Sequence, residues 1–143
     1  MPDTEKNLAF SSTSKAVRQA LEGLRADYLE RTVSKNLCGI AELVLAEALN
    51  NVVEHATARQ ADGRVRLALA YDPPFLTFDL RDNGAPMPGL SLPKGAPPCI
   101  ETAIENLPEG GFGWSLIHAL AQNIEYRRKN GWNYLRFRLS DDP

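Results

Sequence analysis

The sequence predicts an α+β fold: a two-layer α/β sandwich with helices on one face of a mixed, mostly antiparallel sheet. Three observations predict it. Two early stretches, residues 14–32 and about 37–57, space their apolar residues as helices do. Strand-like alternation then comes in pairs, RVRLALAYD with FLTFDLRD and EYRRK with WNYLRFRL, each pair joined by turn residues. A chain of 143 residues with 43% apolar content supplies one sizeable core, so residues 1–143 read as a single domain. Helices covering one face of a largely antiparallel sheet bury both kinds of element at once.

The elements follow in order. Residues 5–11 start as an edge strand. In 14–32, Val17, Leu21, Leu24, Tyr28 and Leu29 make one apolar stripe. The turn SKNLCG leads into the second helix, and the polar loop ARQADG ends it at Gly63. Asp72, Pro73 and Pro74 suit a hairpin turn between the next two strands. APMPGLSLPKGAPPC is rich in Pro and Gly and has no period, so it reads as a long loop of the kind that forms lids. Residues 100–106 suit a short helix. EGGFGWSLIHAL is a glycine-rich turn running into a helix, and the last two strands meet at an Asn-Gly tip.

Composition removes several function classes. A formal charge of -2 argues against nucleic acid as a direct partner, and the RRK at 127–129 reads as a solvated turn. Cys38 and Cys99 form no ligand cluster, so zinc has no support and both thiols are expected reduced. The first residues contain no apolar leader segment, and no run approaches the length of a membrane span. A cytoplasmic protein without a membrane partner is the expectation.

The second helix carries an oddly polar patch, EALNNVVEHA. At about 100° per residue, Val44, Leu45, Ala48, Leu49, Val52 and Val53 share the core side, while Asn50 and Glu54 face water. Glu47, Asn51 and His55 stand one turn apart in a column at the rim of the apolar stripe. Taken alone, the column reads most simply as an ordinary solvated helix border. Two downstream segments give it company. In RDNGAPMP, Asp82 offers an acceptor at a strand end, and Gly84 permits a positive φ or a close backbone approach. In EGGFGWSLI, Gly110, Gly111 and Gly113 let the backbone aim N–H groups at one point, where the following helix adds its positive end, an arrangement suited to phosphate. No G-K-[ST] follows, so this is not a P-loop.

The order E-x-x-x-N-x-x-x-H on a helix, D-x-G after a strand, a Pro/Gly-rich lid and G-G-x-G entering a helix resembles the Bergerat-fold ATPases (the GHKL superfamily, with histidine kinases and gyrase). The phrasing LPEGGFGWSLIHAL and the chain length narrow the resemblance to the anti-sigma factor/serine-protein kinases of bacterial partner-switching systems. That resemblance implies ATP and Mg²⁺ as ligands. Asn51 would bind the Mg²⁺ that bridges the phosphates, and Glu47 would be the catalytic residue, acting as general base or polarising the attacking group. Asp82 would accept from the adenine amine with Gly84 beneath the base. Gly110, Gly111 and Gly113 would close over the phosphates, His55 would support the site, and residues 88–109 would form the lid. The lid holds only Lys94 where some members direct a basic residue toward the γ-phosphate; Arg18 on the first helix is the other cation considered for that place. The implied function is an ATP-binding anti-sigma factor with serine kinase activity toward an anti-anti-sigma (STAS-type) protein, binding a sigma factor and forming a possible homodimer. Two alternatives stand beside it: a non-catalytic nucleotide-binding sequestration module, and a stand-alone histidine-kinase-like catalytic domain.

Overall fold

The computed structural model describes residues 4–92 and 111–141. Five strands, β1 (Glu5–Ser11), β2 (Arg64–Asp72), β3 (Phe75–Asp82), β4 (Gln122–Lys129) and β5 (Trp132–Ser140), form one sheet in the order β1-β2-β3-β5-β4. All four pairings are antiparallel, so the expected mixed sheet has no parallel component among the described residues. The β2–β3 turn passes through a cis Pro73–Pro74 peptide, and the β4–β5 tip uses Asn130 and Gly131, both at positive φ, as a tight hairpin requires.

Among the described residues, three helices cover one face. Helix α1 (Ser14–Leu24) begins at Thr13, whose hydroxyl accepts from the Ala16 N–H, and continues through a π turn (Arg25–Leu29) into Glu30–Thr32. Helix α2 (Lys35–Asn51) is capped by Ser34 in the same way and continues into a second π turn (Val52–Ala56). Ser34 also donates to Asp141, which accepts from Tyr71 as well, so the start of α2 is tied to the end of β5. Helix α3 (Gly111–Leu120) packs beside α2.

The core follows from the two periodicities. Strand positions Val65, Leu67 and Leu69, then Leu76, Phe78 and Leu80, then Leu135, Phe137 and Leu139, all point to one side. Against them lie Leu37, Ala41, Val44, Leu45, Ala48 and Leu49 from α2, with Leu24 and Leu29 from the first helical segment and Ile117 from α3. Phe78 and Phe137, opposite each other in register, stack with ring centroids 4.8 Å apart. Each fully buried Leu or Phe contributes about 2 kcal/mol.

Three expectations need correction or placement. The helix from Lys35 to Ala56 is 22 residues long and apolar enough by composition to cross a membrane, contrary to the reading that no run approaches that length. Its apolar side lies on the sheet, which accounts for the composition. Residues 127–129 are not a turn but the end of β4, and the turn proper is Asn130–Gly131. Cys38 is buried and free, and burial with the neighbouring Glu42 carboxylate pushes its thiol pKa up, toward the unreactive form. Cys99, Lys94, Gly110, the suggested helix at 100–106 and most of the 88–109 lid lie outside the described residues.

Candidate functional site

The site lies where the α2 rim, the end of β3 and the start of α3 converge. On α2 the apolar stripe turns Val44, Leu45, Ala48, Leu49 and Val52 inward and leaves Asn50 and Glu54 exposed, which puts Glu47 and Asn51 half-buried at the border. Gly113, buried in the first turn of α3, packs against that border. A Cβ placed on it would stand 2.6 Å from the Glu47 Oε2 and 3.7 Å from the Asn51 Nδ2. Only a residue without a side chain allows this contact, so the glycine is there for close approach. The Asn51 Nδ2 is buried and has no hydrogen-bond partner among the described residues. An unpaired buried amide is costly, on the order of 1–3 kcal/mol, and marks a group that a ligand shell would satisfy.

His55, the third member of the expected column, lies in the π turn that follows α2. There the Thr57 N–H donates to the Val52 carbonyl five residues back, at 2.9 Å, so the regular 3.6-residue spacing ends at Asn51. His55 is left with 59% of its side chain exposed, 4.0 Å from Glu54. The wheel assumed 3.6 residues per turn throughout, and the insertion of a wider turn defeats that assumption. Thr57 holds the π turn by donating its hydroxyl to the Val52 carbonyl and by a 2.6 Å hydrogen bond with Ser12.

At the end of β3 the inward apolar ladder gives way to a polar pair. Leu76 faces Leu139, Phe78 faces Phe137, Leu80 faces Leu135, and then Asp82 faces Asn133. Both are buried. The Asp82 Oδ1 accepts from the Gly84 N–H and from the Asn133 Nδ2, each at 2.9 Å. Burial raises the Asp82 carboxyl above its ordinary value; the Asn133 amide, the Gly84 N–H and the Arg128 guanidinium pull in the opposite direction and offset part of the shift. Among the described residues no hydrogen bond reaches the Asp82 Oδ2. Gly84 sits directly on the Ala56 backbone, where a Cβ would collide with the carbonyl, and the Ala85 N–H donates to that carbonyl at 2.7 Å. Its glycine serves close approach, one of the two options the sequence left open. Asn83 fixes the same loop by accepting from the Arg64 N–H at 2.7 Å.

Sequence reasoning missed Asn133, Tyr126 and Arg128. The Asn133 Nδ2 donates to Asp82 and to the Ala85 carbonyl, while its Oδ1 accepts from the Tyr126 hydroxyl at 2.7 Å and from Arg128 at 3.1 Å. Tyr126 also accepts from the Met87 N–H, and Arg128 donates to the Gly84 carbonyl. The β4–β5 hairpin thus clamps residues 84–87, the approach to the lid. A signal was present: period-two alternation puts Asn133 on the face of Leu135, Phe137 and Leu139, and an amide in that series asks for a partner. Gly111 begins α3, Gly113 meets Glu47, and Gly110 falls outside the description.

Residues 10–139 match the histidine kinase-like ATPase domain family. Over its whole length the chain is 28% identical to the serine/threonine-protein kinase BtrW of Bordetella bronchiseptica, covering 99% of that protein. It also resembles the histidine kinase domain of a blue-light activated histidine kinase from Erythrobacter litoralis, at 20% identity and a TM-score of 0.45. That match covers 72% of this chain and 44% of the other. With nine-tenths of its length matched by the family, the chain belongs to the histidine kinase-like ATPase domains.

Proposed function

We propose that the chain is an ATP-dependent protein serine kinase that acts on an anti-anti-sigma partner and, when free of it, holds a sigma factor. The observation that carries the reading is the contact of Glu47 and Asn51 with the glycine start of α3, while Ala56 in the turn after α2 meets Gly84 of the loop that follows the buried Asp82. A full-length relative that bears the name of a serine/threonine kinase supports it. Asp82 takes the adenine end: a carboxylate oxygen accepts from the exocyclic amine, and Gly84, packed on the Ala56 backbone, holds the loop that carries it. The glycine-rich helix start takes the phosphates.

The donor set fits Mg²⁺. Asn51 offers a hard amide oxygen, and its buried amide nitrogen without a partner among the described residues supports a ligand at this place. Asn51 would hold the ion, which when bound supplies positive charge against the phosphates. Glu47 would accept the proton of the incoming serine hydroxyl as its oxygen bonds to the γ-phosphorus and ADP leaves with the electron pair of the broken bond. Glu47 is half-buried with its carboxylate against Gly113 at the glycine-rich helix start, which supports that role. Incubation with Mg-ATP and an anti-anti-sigma protein should give phosphoserine on the partner, with Glu47→Gln retaining ATP binding but losing transfer by about a hundredfold or more. Equal transfer by the Glu47→Gln protein would remove Glu47 from the chemistry.

A further inference from the structure

The helices cover one face of the sheet, and the opposite face is uneven in charge. Register places its outward residues in rows across the strands. One row runs Ala9, Arg66, Arg81, Tyr134, Arg127; the next, toward the hairpin tip, holds Ser11, Arg64, Trp132 and Lys129. These two rows contain five cations, two aromatic rings and no carboxylate. The acids of this face, Glu5, Asp72, Asp79 and Glu125, all belong to the rows beyond. Arg64, Arg66, Arg81, Arg127 and Lys129 are exposed.

Several features separate this patch from a merely solvated surface. Arg66 and Arg81 are directly opposite in register, where like charges disfavour the pairing. Each sits over an aromatic ring: Arg66 over Trp132 at 5.1 Å and Arg81 over Tyr134 at 5.0 Å. A depression of about 350 Å³ opens between them, lined also by Ala9, Ala68, Asn7 and Asp79. Among the described residues, Arg81 alone of the five pairs with a carboxylate, Asp79, at 3.4 Å. Stacked guanidinium groups are pre-ordered for two-pronged hydrogen bonding to carboxylates.

We propose that this patch docks an acidic segment of a partner protein, one with several Asp or Glu side chains within reach of a surface roughly 20 Å across the strands. Charge complementarity selects that occupant. A second copy would oppose the patch to itself, cation against cation. A nucleic acid strand fits less well, because the rings on which bases would stack are already covered by arginines. Taking these five cations out of a chain of formal charge -2 leaves -7, which repels a long polyanion while admitting a short run of carboxylates at the patch. The site lies on the face away from Asp82 and Glu47 and does not depend on the nucleotide reading.

The test titrates a short Asp/Glu-repeat peptide into the full chain and follows Trp132 fluorescence, with Trp132→Phe as the blank. Binding should weaken with added salt and fall about tenfold or more in the R66S/R81S protein. Arg64→Gln with Lys129→Gln, which removes charge without uncovering a ring, should weaken it severalfold, while Lys15→Ser on α1 should leave it unchanged. The proposal is overturned by peptide affinity that neither patch variant alters. It is overturned equally by a single-stranded oligonucleotide that binds more tightly through the same arginines, or by sedimentation showing a dimer that the peptide dissociates.

Discussion

Gly113 and Glu47 set the finest constraint in the molecule. Replacing Gly113 by Ala puts a methyl where the Glu47 carboxylate now stands, and a flexible side-chain end yields more readily than backbone. Ala also favours the helix by about 1 kcal/mol over Gly. Gly113→Ala should therefore unfold at the same or a higher temperature yet lose phosphate transfer, a combination that separates a site contact from a folding one. Asp82 has a pH signature of its own. Its folded pKa lies above the ordinary aspartate value because it is buried, so its contribution to stability is fully present below that ordinary value and is lost as pH rises through the raised one. Asp82→Asn should flatten this part of the stability profile measured by denaturant titration. In the opposite direction, acidification through the raised value should weaken ATP binding to the wild type, because the protonated carboxyl loses an acceptor oxygen.

At the scale of elements, two devices position the site: the π turn that ends the α2 column and the hairpin that clamps the D-x-G loop. Asn133 is the joint of the second. Asn133→Ala removes two donations and two acceptances in one step and leaves the Asp82 carboxylate short of a partner, so stability should fall by about 2–3 kcal/mol in denaturant titration. Nucleotide affinity should fall with it. The strands and helices themselves were legible because 2.0 and 3.6 periods are written in the apolar residues, and RVRLALAYD and FLTFDLRD are strands to the residue. Glu47 and Asn51 were legible as a border pair for the same reason. The π turn that carries His55 was not legible, because nothing in VVEHA announces a wider turn; Thr57, a residue beyond the column, bonds back to Val52 and holds it. The Asn133–Tyr126–Arg128 cluster escaped because its members are strand residues far apart in the chain from Asp82, joined to it only by register.

At the scale of the whole molecule, the two proposals place two surfaces on one sheet. The helical face carries the proposed nucleotide site at its rim, and the open face carries the arginine patch near the same end of the sheet. Such an arrangement lets a small domain contact a partner without covering its own phosphate site. Everything about the kinase reading rests on α2, β3 and α3 holding one Mg-ATP between them. The most direct measurement is the affinity for ATP with and without Mg²⁺, comparing wild type with Asn51→Ala and Asp82→Ala by calorimetry. Asp82→Ala should weaken binding in both conditions, whereas Asn51→Ala should remove chiefly the gain that Mg²⁺ provides. Wild-type affinities in both variants, with the Mg²⁺ gain intact, would contradict the account.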